Sequence, residues 1–448
     1  MNFDNRLGNR RFIVLDIVFH SGSLNYDQGT SNYQELKKIT KWDGRPYTLV
    51  SRYALRYSIL EAMREMYDGN EVIVPGNKLR RASKQSGVEN LEGASEGGEV
   101  KKNEEKGVIQ PSEELLLNGE ISKYPELDLF GYLITTTEPQ NFREAPVKIS
   151  HAISMTPYNY DAHFCANIGL ARRMVEAGKE DKLEPNPFVV EEHHTYYIYT
   201  VVIDVERIGT YEVYLSDKYE VEEIEKNKKV IIREKKNERE KKERKQKQEE
   251  TEKVYEISVD KGNLEKIEVE KKNNVSILRY ILKGEEKKKR IENLIRAILR
   301  LNRSIKARSE ALQPKLLVLG IYINKPYKTY KDCILLSSSY EEIYEESVER
   351  KDEQSVKVIR RVVKLERPTF KIVGIPESEE PQKLEEDEVL RKIYPNENST
   401  KTNTKTNGLE SCEEKEKVYI FYSPEVNVEV TYNKTTEKQE VQQKHQKK

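Results

Sequence analysis

The chain alternates short apolar runs with long polar stretches, and the runs set the expected elements. Residues 10–19, RRFIVLDIVF, are branched and aromatic and are closed by His20-Ser21-Gly22, which predicts a strand. Residues 20–48 are rich in Gly, Asn, Tyr and Asp and read as loop. Ser51 is placed to cap a helix running to about Tyr67, with Leu55, Ile59, Ala62 and Met66 on one face and Arg52 and Arg56 on another. Polar residues dominate 76–120, and order is expected again in Leu127–Leu133 and from Ala145 to Asp161. The segment TYYIYTVVIDV at 195–205 is the clearest strand pattern in the chain. A second long helix is predicted over 287–309, with Ile291, Leu294, Ile295, Ile298, Leu301 and Ile305 on its apolar side. Its other side carries Arg296, Arg300, Arg303, Lys306 and Arg308. After Pro314, KLLVLGIYI at 315–323 predicts a buried strand, and Val418–Tyr422 is a last short apolar run in a polar tail.

Strand, helix, strand, helix and strand in this order suggest an α+β chain. A β-α-β-β-α-β order, with one sheet face covered by two helices, is the ferredoxin-like arrangement also used by the RNA-recognition (RRM) fold. The second strand is the least marked, and Val72-Ile73-Val74 is its best candidate.

Composition changes this picture in two ways. Charged residues make up 35% of the 448 positions, against roughly 25% in ordinary soluble domains. They balance at 78 Lys+Arg and 78 Asp+Glu, yet the balance is not local. Residues 226–247 hold twelve basic and four acidic residues, whereas 377–388 hold seven acidic residues and one lysine. A neutral total therefore does not exclude a polyanionic partner. The intercalated glutamates and absent aromatics of 226–247 favour a solvated, partly helical loop over an RNA arm. No run nears about 18 apolar residues, so no membrane partner is expected, and Met1–Phe19 lacks the pattern of a secretory signal. Cys165, Cys333 and Cys412 are scattered, which fits a reducing, cytoplasmic location rather than a disulfide framework. Tyrosine outnumbers phenylalanine 27 to 9, giving rings that pack while keeping a polar tip.

Few positions suggest catalysis. His193 and His194 are adjacent and would point to opposite faces of a strand, so they cannot converge on a metal ion, and no metal or cofactor is expected. His151 and His163 have no metal-binding spacing, and there is no Walker A, G-x-G-x-x-G or G-x-S-x-G sequence. His20 or Asp27 as an RNA-cleaving group is the enzymatic alternative, with or without a metal, but neither has an evident second base. Arg52 and Arg56, four apart on the first helix beside Lys41, Trp42 and Arg45, form a plausible phosphate-and-base surface, although paired arginines also decorate solvated helix faces.

Several long blocks carry a resemblance. SLNYDQG at 23–29, NYQELKKITKWDGRPYTLVSRYALRYSIL at 32–60, DLFGYL at 128–133, APVKISHAISMTPYNYD at 145–161 and HHTYYIYTVVIDVERIG at 193–209 resemble the DevR, or negative autoregulator, branch of the CRISPR-associated Cas-seven superfamily. The resemblance implies a non-catalytic backbone subunit of a type I-B Cascade complex. Copies of such a subunit polymerise head to tail along one CRISPR RNA, meet the other Cascade subunits, and present the guide to target DNA. It also implies an RRM-like palm with a finger or web insertion and a β-hairpin thumb. On that reading 1–75, 121–210 and 286–375 form the palm and thumb elements, 76–120 a finger-like insertion, 211–285 a charged insertion, and 376–448 a mostly flexible tail. The implied RNA contacts are Arg52 and Arg56, then Asn25, Tyr26, Lys41, Trp42 and Arg45, then Arg143 and Lys148. Met155, Pro157 and Tyr158 are the implied thumb or base contacts. The family's older name also suggests a DNA-binding autoregulator, for which the sequence offers no helix-turn-helix signal.

Overall fold

The computed structural model describes residues 10–22, 25–27, 29, 31–67, 72–82, 107–179, 181–235, 253–259, 263–305, 308–337, 340–351, 354–365, 367–395 and 415–433. It divides into two compact units. The first gathers Met1–Ala62, Ile149–Ile203 and Ile295–Lys448, and the second Met63–Lys148 and Asp204–Leu294.

The first unit is organised by one sheet. Eight of its nine strands are β1 (Arg11–Ser21), β2 (Lys38–Thr40), β3 (Pro46–Val50), β4 (Ala152–Ser154), β5 (Thr195–Asp204), β6 (Pro314–Ile323), β7 (Gln382–Lys383) and β8 (Lys415–Tyr422). They lie in the order β7-β8-β6-β1-β5-β4-β3-β2. β1 and β6 pair antiparallel from Arg11↔Ile323 to Phe19↔Pro314, with a bulge between Val18 and Phe19. Every residue of β1 from Ile13 to Phe19 is buried, which explains why this strand reads as a continuous apolar run without alternation. One face of the sheet, with Val18, Leu316, Val318, Val418 and Ile420, packs against Phe370, Ile372, Ile334 and Tyr330. Those residues come from a second, three-stranded sheet of Ile334–Ser337, Thr369–Ile375 and Asn427–Tyr432 and the turn before it. The apolar run at 418–422 is thus no isolated island in a tail, because β8 runs antiparallel to β6 from Leu316↔Tyr422 to Ile323↔Lys415. A hairpin of Tyr340–Lys351 and Gln354–Leu365 keeps one register over its full length.

Helix α1 (Arg52–Arg64) follows β3 directly. Ser51 caps it as expected, its Oγ accepting from the Ala54 amide at 3.3 Å. Leu55, Ile59 and Met63 are fully buried, so the inner face follows an i, i+4, i+8 row, while Ala62 and Met66 are only half-buried.

The second unit builds its core from the charged stretch 211–285. One sheet joins Thr210–Leu215, Val275–Leu282 and Leu264–Lys272, and another joins Tyr219–Glu225, Lys229–Glu234 and Val254–Ser258. Their inward residues, among them Tyr211, Val213, Val230, Ile232, Ile257 and Tyr280, pack with Leu115, Leu116, Ile121 and Leu127. Gly131 ends the short helix Pro125–Phe130 at φ +72°, and a Cβ there would lie 2.3 Å from the Arg143 carbonyl oxygen. Only glycine fits both constraints.

Four sequence expectations require correction. Residues 20–48, expected as loop, hold the short strand Tyr33–Gln34, β2 and the start of β3. Val72-Ile73-Val74 is a bend, not a strand. Its backbone bonds go to Glu126, whose amide donates to the Val72 carbonyl and whose carboxylate accepts from the Val74 amide, and β4 occupies the sheet position beside β5. The predicted helix over 287–309 runs from Gly284 to Leu299 and gives way to a hairpin of Asn302–Ile305 with Arg308–Ala311. There Arg303 is buried and its neighbours Asn302 and Ser304 are exposed, a two-residue period that overrides the helical one. Finally, Lys229–Glu234 is a strand inside the basic run, with Val230 and Ile232 buried. The rest of that run, 236–247, lies outside the described residues, as do most of 76–120, Ser23, Leu24, Lys306, Cys412 and much of the tail.

Candidate nucleic-acid interface

The first turn of α1 is held by side chains from three segments of the first unit. Asn25 is buried, and its Oδ1 accepts from the Ser51 amide at 2.7 Å while its carbonyl accepts from Lys37. His151, at the start of β4, accepts from the Arg52 amide through Nδ1 at 3.0 Å. That bond requires a neutral imidazole, and burial followed by the Arg52 charge lowers the His151 pKa. Asn25 and His151 thus hold the backbone at the start of the helix, from which the exposed Arg52 projects.

Arg52 donates from NH2 to the Tyr53 hydroxyl at 2.9 Å, and its guanidinium lies 4.9 Å from that ring's centroid. Arg56, one turn on, is half-buried. Arg303, behind the same helix, donates to the Ser58 hydroxyl at 3.2 Å and the Ala54 carbonyl at 3.4 Å. It is a core clamp on α1 and not part of a basic face.

The loop between β2 and β3 carries the next candidates. Lys41 stands 3.9 Å over the Tyr47 ring and 3.4 Å from the Ser154 carbonyl, and its burial lowers its pKa. Trp42 is 97% exposed, an extreme for the largest side chain. Arg45 folds back on Asp43, its Nε 3.2 Å from Oδ2. Tyr26 is half-buried and bridges to Leu36.

The 155–158 segment, expected as a base contact, lies further inward than such a contact requires. Met155 packs on the cluster under the sheet, and Pro157 is half-buried. Tyr158 is buried, its ring edge-on to His193 at 5.5 Å and beneath Lys38 Nζ at 5.0 Å. Two residues on, Tyr160 is 73% exposed.

Arg143 and Lys148 belong to the second unit, and they differ sharply. The Arg143 side chain is 7% exposed. Its guanidinium bonds Asp128 at 2.7 Å and the carbonyls of Asp128, Arg207 and Thr210, and stacks 4.7 Å from the Tyr211 ring. With Arg290 on the other Asp128 oxygen at 2.8 Å, it is part of the fold's interior. Lys148 is exposed and pairs with Glu144 at 2.8 Å.

Around the enzymatic candidates, the His20 and His194 rings lie 6.3 Å apart, and burial, then His194 and Lys315, lower the His20 pKa. Arg308 beside them is bound to Glu192 and Glu310. Asp27 is exposed, 3.9 Å from Lys37. His193 is held at 2.7 Å by the Thr48 hydroxyl. Among the described residues, no three His, Cys, Asp or Glu side chains form a metal-binding group, and no helix is long and apolar enough to cross a membrane. At the end of the Gly284–Leu299 helix, Glu386 from the acidic stretch binds both Arg296 at 2.5 Å and Arg300, just past the helix, at 2.6 Å.

The model of the family described as CRISPR-associated negative auto-regulator DevR/Csa2 matches residues 13–344. The chain belongs to this family. The matched span takes in β1, α1, β4 to β6 and every residue of the candidate interface, whereas β8 lies beyond it although it pairs with β6. No curated protein matches. Among solved structures, a chain of a CRISPR RNA-guided surveillance complex in a pre-nicking state gives a TM-score of 0.38 at 10% identity, covering 71% of this chain and 80% of that one. A chain of another CRISPR RNA-guided surveillance complex gives 0.33 at 8% identity, covering 71% and 72%.

Two exposed rings on α1 are not among the residues that the sequence singled out. Tyr53 and Tyr57 are 66% and 61% exposed on α1, and the readable signal was an aromatic pair four apart, each next to an arginine.

Proposed function

We propose that this family member is a non-catalytic, RNA-binding backbone subunit of a CRISPR surveillance complex of the type I-B class. Copies would line up along one guide RNA and present it for pairing with target DNA. The family match over 13–344 carries the reading. The strand order β6-β1-β5-β4 supports an RRM-like palm, since a chain-order 4-1-3-2 sheet is what the ferredoxin-like arrangement requires. Arg52, Arg56, Lys41, Trp42, Arg45 and Lys148 remain the proposed RNA contacts, with affinity coming from phosphates because a guide must vary in sequence.

Native purification followed by nucleic-acid extraction tests the reading. Guide-sized RNA protected at regular intervals is expected, and a preparation that neither carries nor binds RNA would sink it. Replacing Arg52 and Arg56 by Ala should lower the slope of log affinity against log salt by about 1.4, at roughly 0.7 per phosphate contact on a single strand. Cleavage of labelled repeat RNA, lost in Asp27→Ala or His20→Ala, would instead favour a ribonuclease.

A further inference from the structure

We infer that Tyr53 and Tyr57 form a two-ring stacking platform for the bases of single-stranded RNA, interleaved on α1 with the arginines that take its phosphates. This deepens the proposed function and rests on it. The two rings are 66% and 61% exposed on a helix whose other large apolar residues, Leu55, Ile59, Leu60 and Met63, are buried. Apolar rings scattered singly on a surface are ordinary. Two of them four residues apart, each following an arginine in the order Arg52-Tyr53 and Arg56-Tyr57, make one continuous strip of alternating cation and ring.

The chemistry of the strip suits one occupant. At a rise of about 1.5 Å per residue, the two rings stand roughly 6 Å apart along the helix axis. That is wider than the roughly 3.4 Å step of bases stacked within one strand. The platform therefore fits a strand whose neighbouring bases are splayed apart, each resting on its own ring, as aromatic side chains bind unpaired RNA without reading sequence. The Arg52 guanidinium binds the Tyr53 oxygen, so the phenol's own hydrogen is left to donate outward to a phosphate or ribose oxygen. The helix beneath the rings is anchored. Asn25, Ser51 and His151 fix the first turn, and Arg303 holds Ala54 and Ser58, which flank the turn between the two rings. With the backbone held, only the ring rotamers remain to be ordered when a base lands on them.

Binding of the full-length protein to a mixed-sequence single-stranded oligoribonucleotide, measured across a salt series, separates rings from charges. Tyr53→Ala and Tyr57→Ala should each weaken binding by about 5- to 150-fold with an unchanged salt slope, since stacking on one base is worth about 1–3 kcal/mol. Tyr53→Phe and Tyr57→Phe should retain most of the affinity, which guards against a loss that is only structural. An oligonucleotide with abasic positions should bind wild type and both alanine variants equally. Wild-type affinity in the double alanine variant, or a loss that persists on the abasic strand, would overturn the platform while leaving the proposed function standing. Failure of the wild type to bind RNA would remove both.

Discussion

Each compact unit buries an aspartate completely, and the two do so with opposite partners. In the second unit Asp128 lies between Arg143 at 2.7 Å and Arg290 at 2.8 Å and also accepts from the Gly209 amide at 2.9 Å. In the first, Asp16 sits in the middle of β1 and accepts from two neutral donors, the Thr200 hydroxyl and the Tyr330 amide, both at 2.5 Å, with the charges of Lys331 and Asp332 acting more weakly and in opposite directions. Burial raises the Asp16 pKa to about 6, against the lowering effect of those two bonds. The contrast teaches that burial alone does not decide what a carboxylate does. Two guanidiniums make Asp128 the hub of a charged network, whereas Asp16, buried with no cation bonded to it, is able to take up a proton near neutrality.

Breaking the hub should have the largest effect. Asp128→Ala strands two buried guanidiniums, and the loss of one partner from a buried network costs about 3–5 kcal/mol. Arg290 has other acceptors, Glu286 Oε1 at 3.0 Å and the Ser122 carbonyl at 2.7 Å, but Asp128 is the group it shares with Arg143. Chemical unfolding followed by circular dichroism should show the shift, and a midpoint moved no further than in Asp16→Ala would dissolve the contrast between the two units.

Asp16 predicts a smaller effect with a pH signature. Its folded pKa lies above the unfolded value of 3.8, so the protonated form is favoured by folding. This contribution is fully present below about pH 3.8 and is lost as pH rises through about 6. Between pH 7 and pH 5 the wild type should therefore gain about 1.4 kcal/mol relative to Asp16→Asn. Asn can serve the same two partners, accepting from Tyr330 and donating to Thr200, without titrating. Asp16→Ala leaves the Tyr330 amide unmatched and should cost about 1–3 kcal/mol. Parallel stability curves for wild type and Asp16→Asn would refute the assignment.

The same distinction explains what could be read in advance. β1 and β5 were legible because both are dominated by branched and aromatic residues, and α1 because Ser51 caps it and Leu55 and Ile59 recur at helical spacing. Arg143 and Arg303 were not legible, since an arginine that clamps the core and one that faces a phosphate are the same letter. Only the position of Asp128, fifteen residues from Arg143, and of Ser58, far from Arg303 in sequence, separates the two roles. The strand Lys229–Glu234 was hidden because two buried residues, Val230 and Ile232, carry its period among lysines and glutamates. Tyr158 shows the converse: a residue placed at a base contact by resemblance is packed inside, and the exposed ring is Tyr160.

Lys148 gives the smallest effect and the finest discrimination. Its side chain is 56% exposed and pairs with a Glu144 that is equally open, so the pair is screened by solvent. Lys148→Ala should change stability by less than about 0.5 kcal/mol, as exposed ion pairs do. Unlike Arg143, however, Lys148 can release its partner, and Glu144 would still hold Arg207 at 2.9 Å. A lysine that trades a carboxylate for a phosphate changes RNA binding without changing the fold. If Lys148 is such a contact, the alanine variant should lower the salt slope of RNA binding by about 0.7 at unaltered stability. If the pairing with Glu144 is its whole role, the slope stays where it was, and Lys148 drops out of the proposed contacts as Arg143 has.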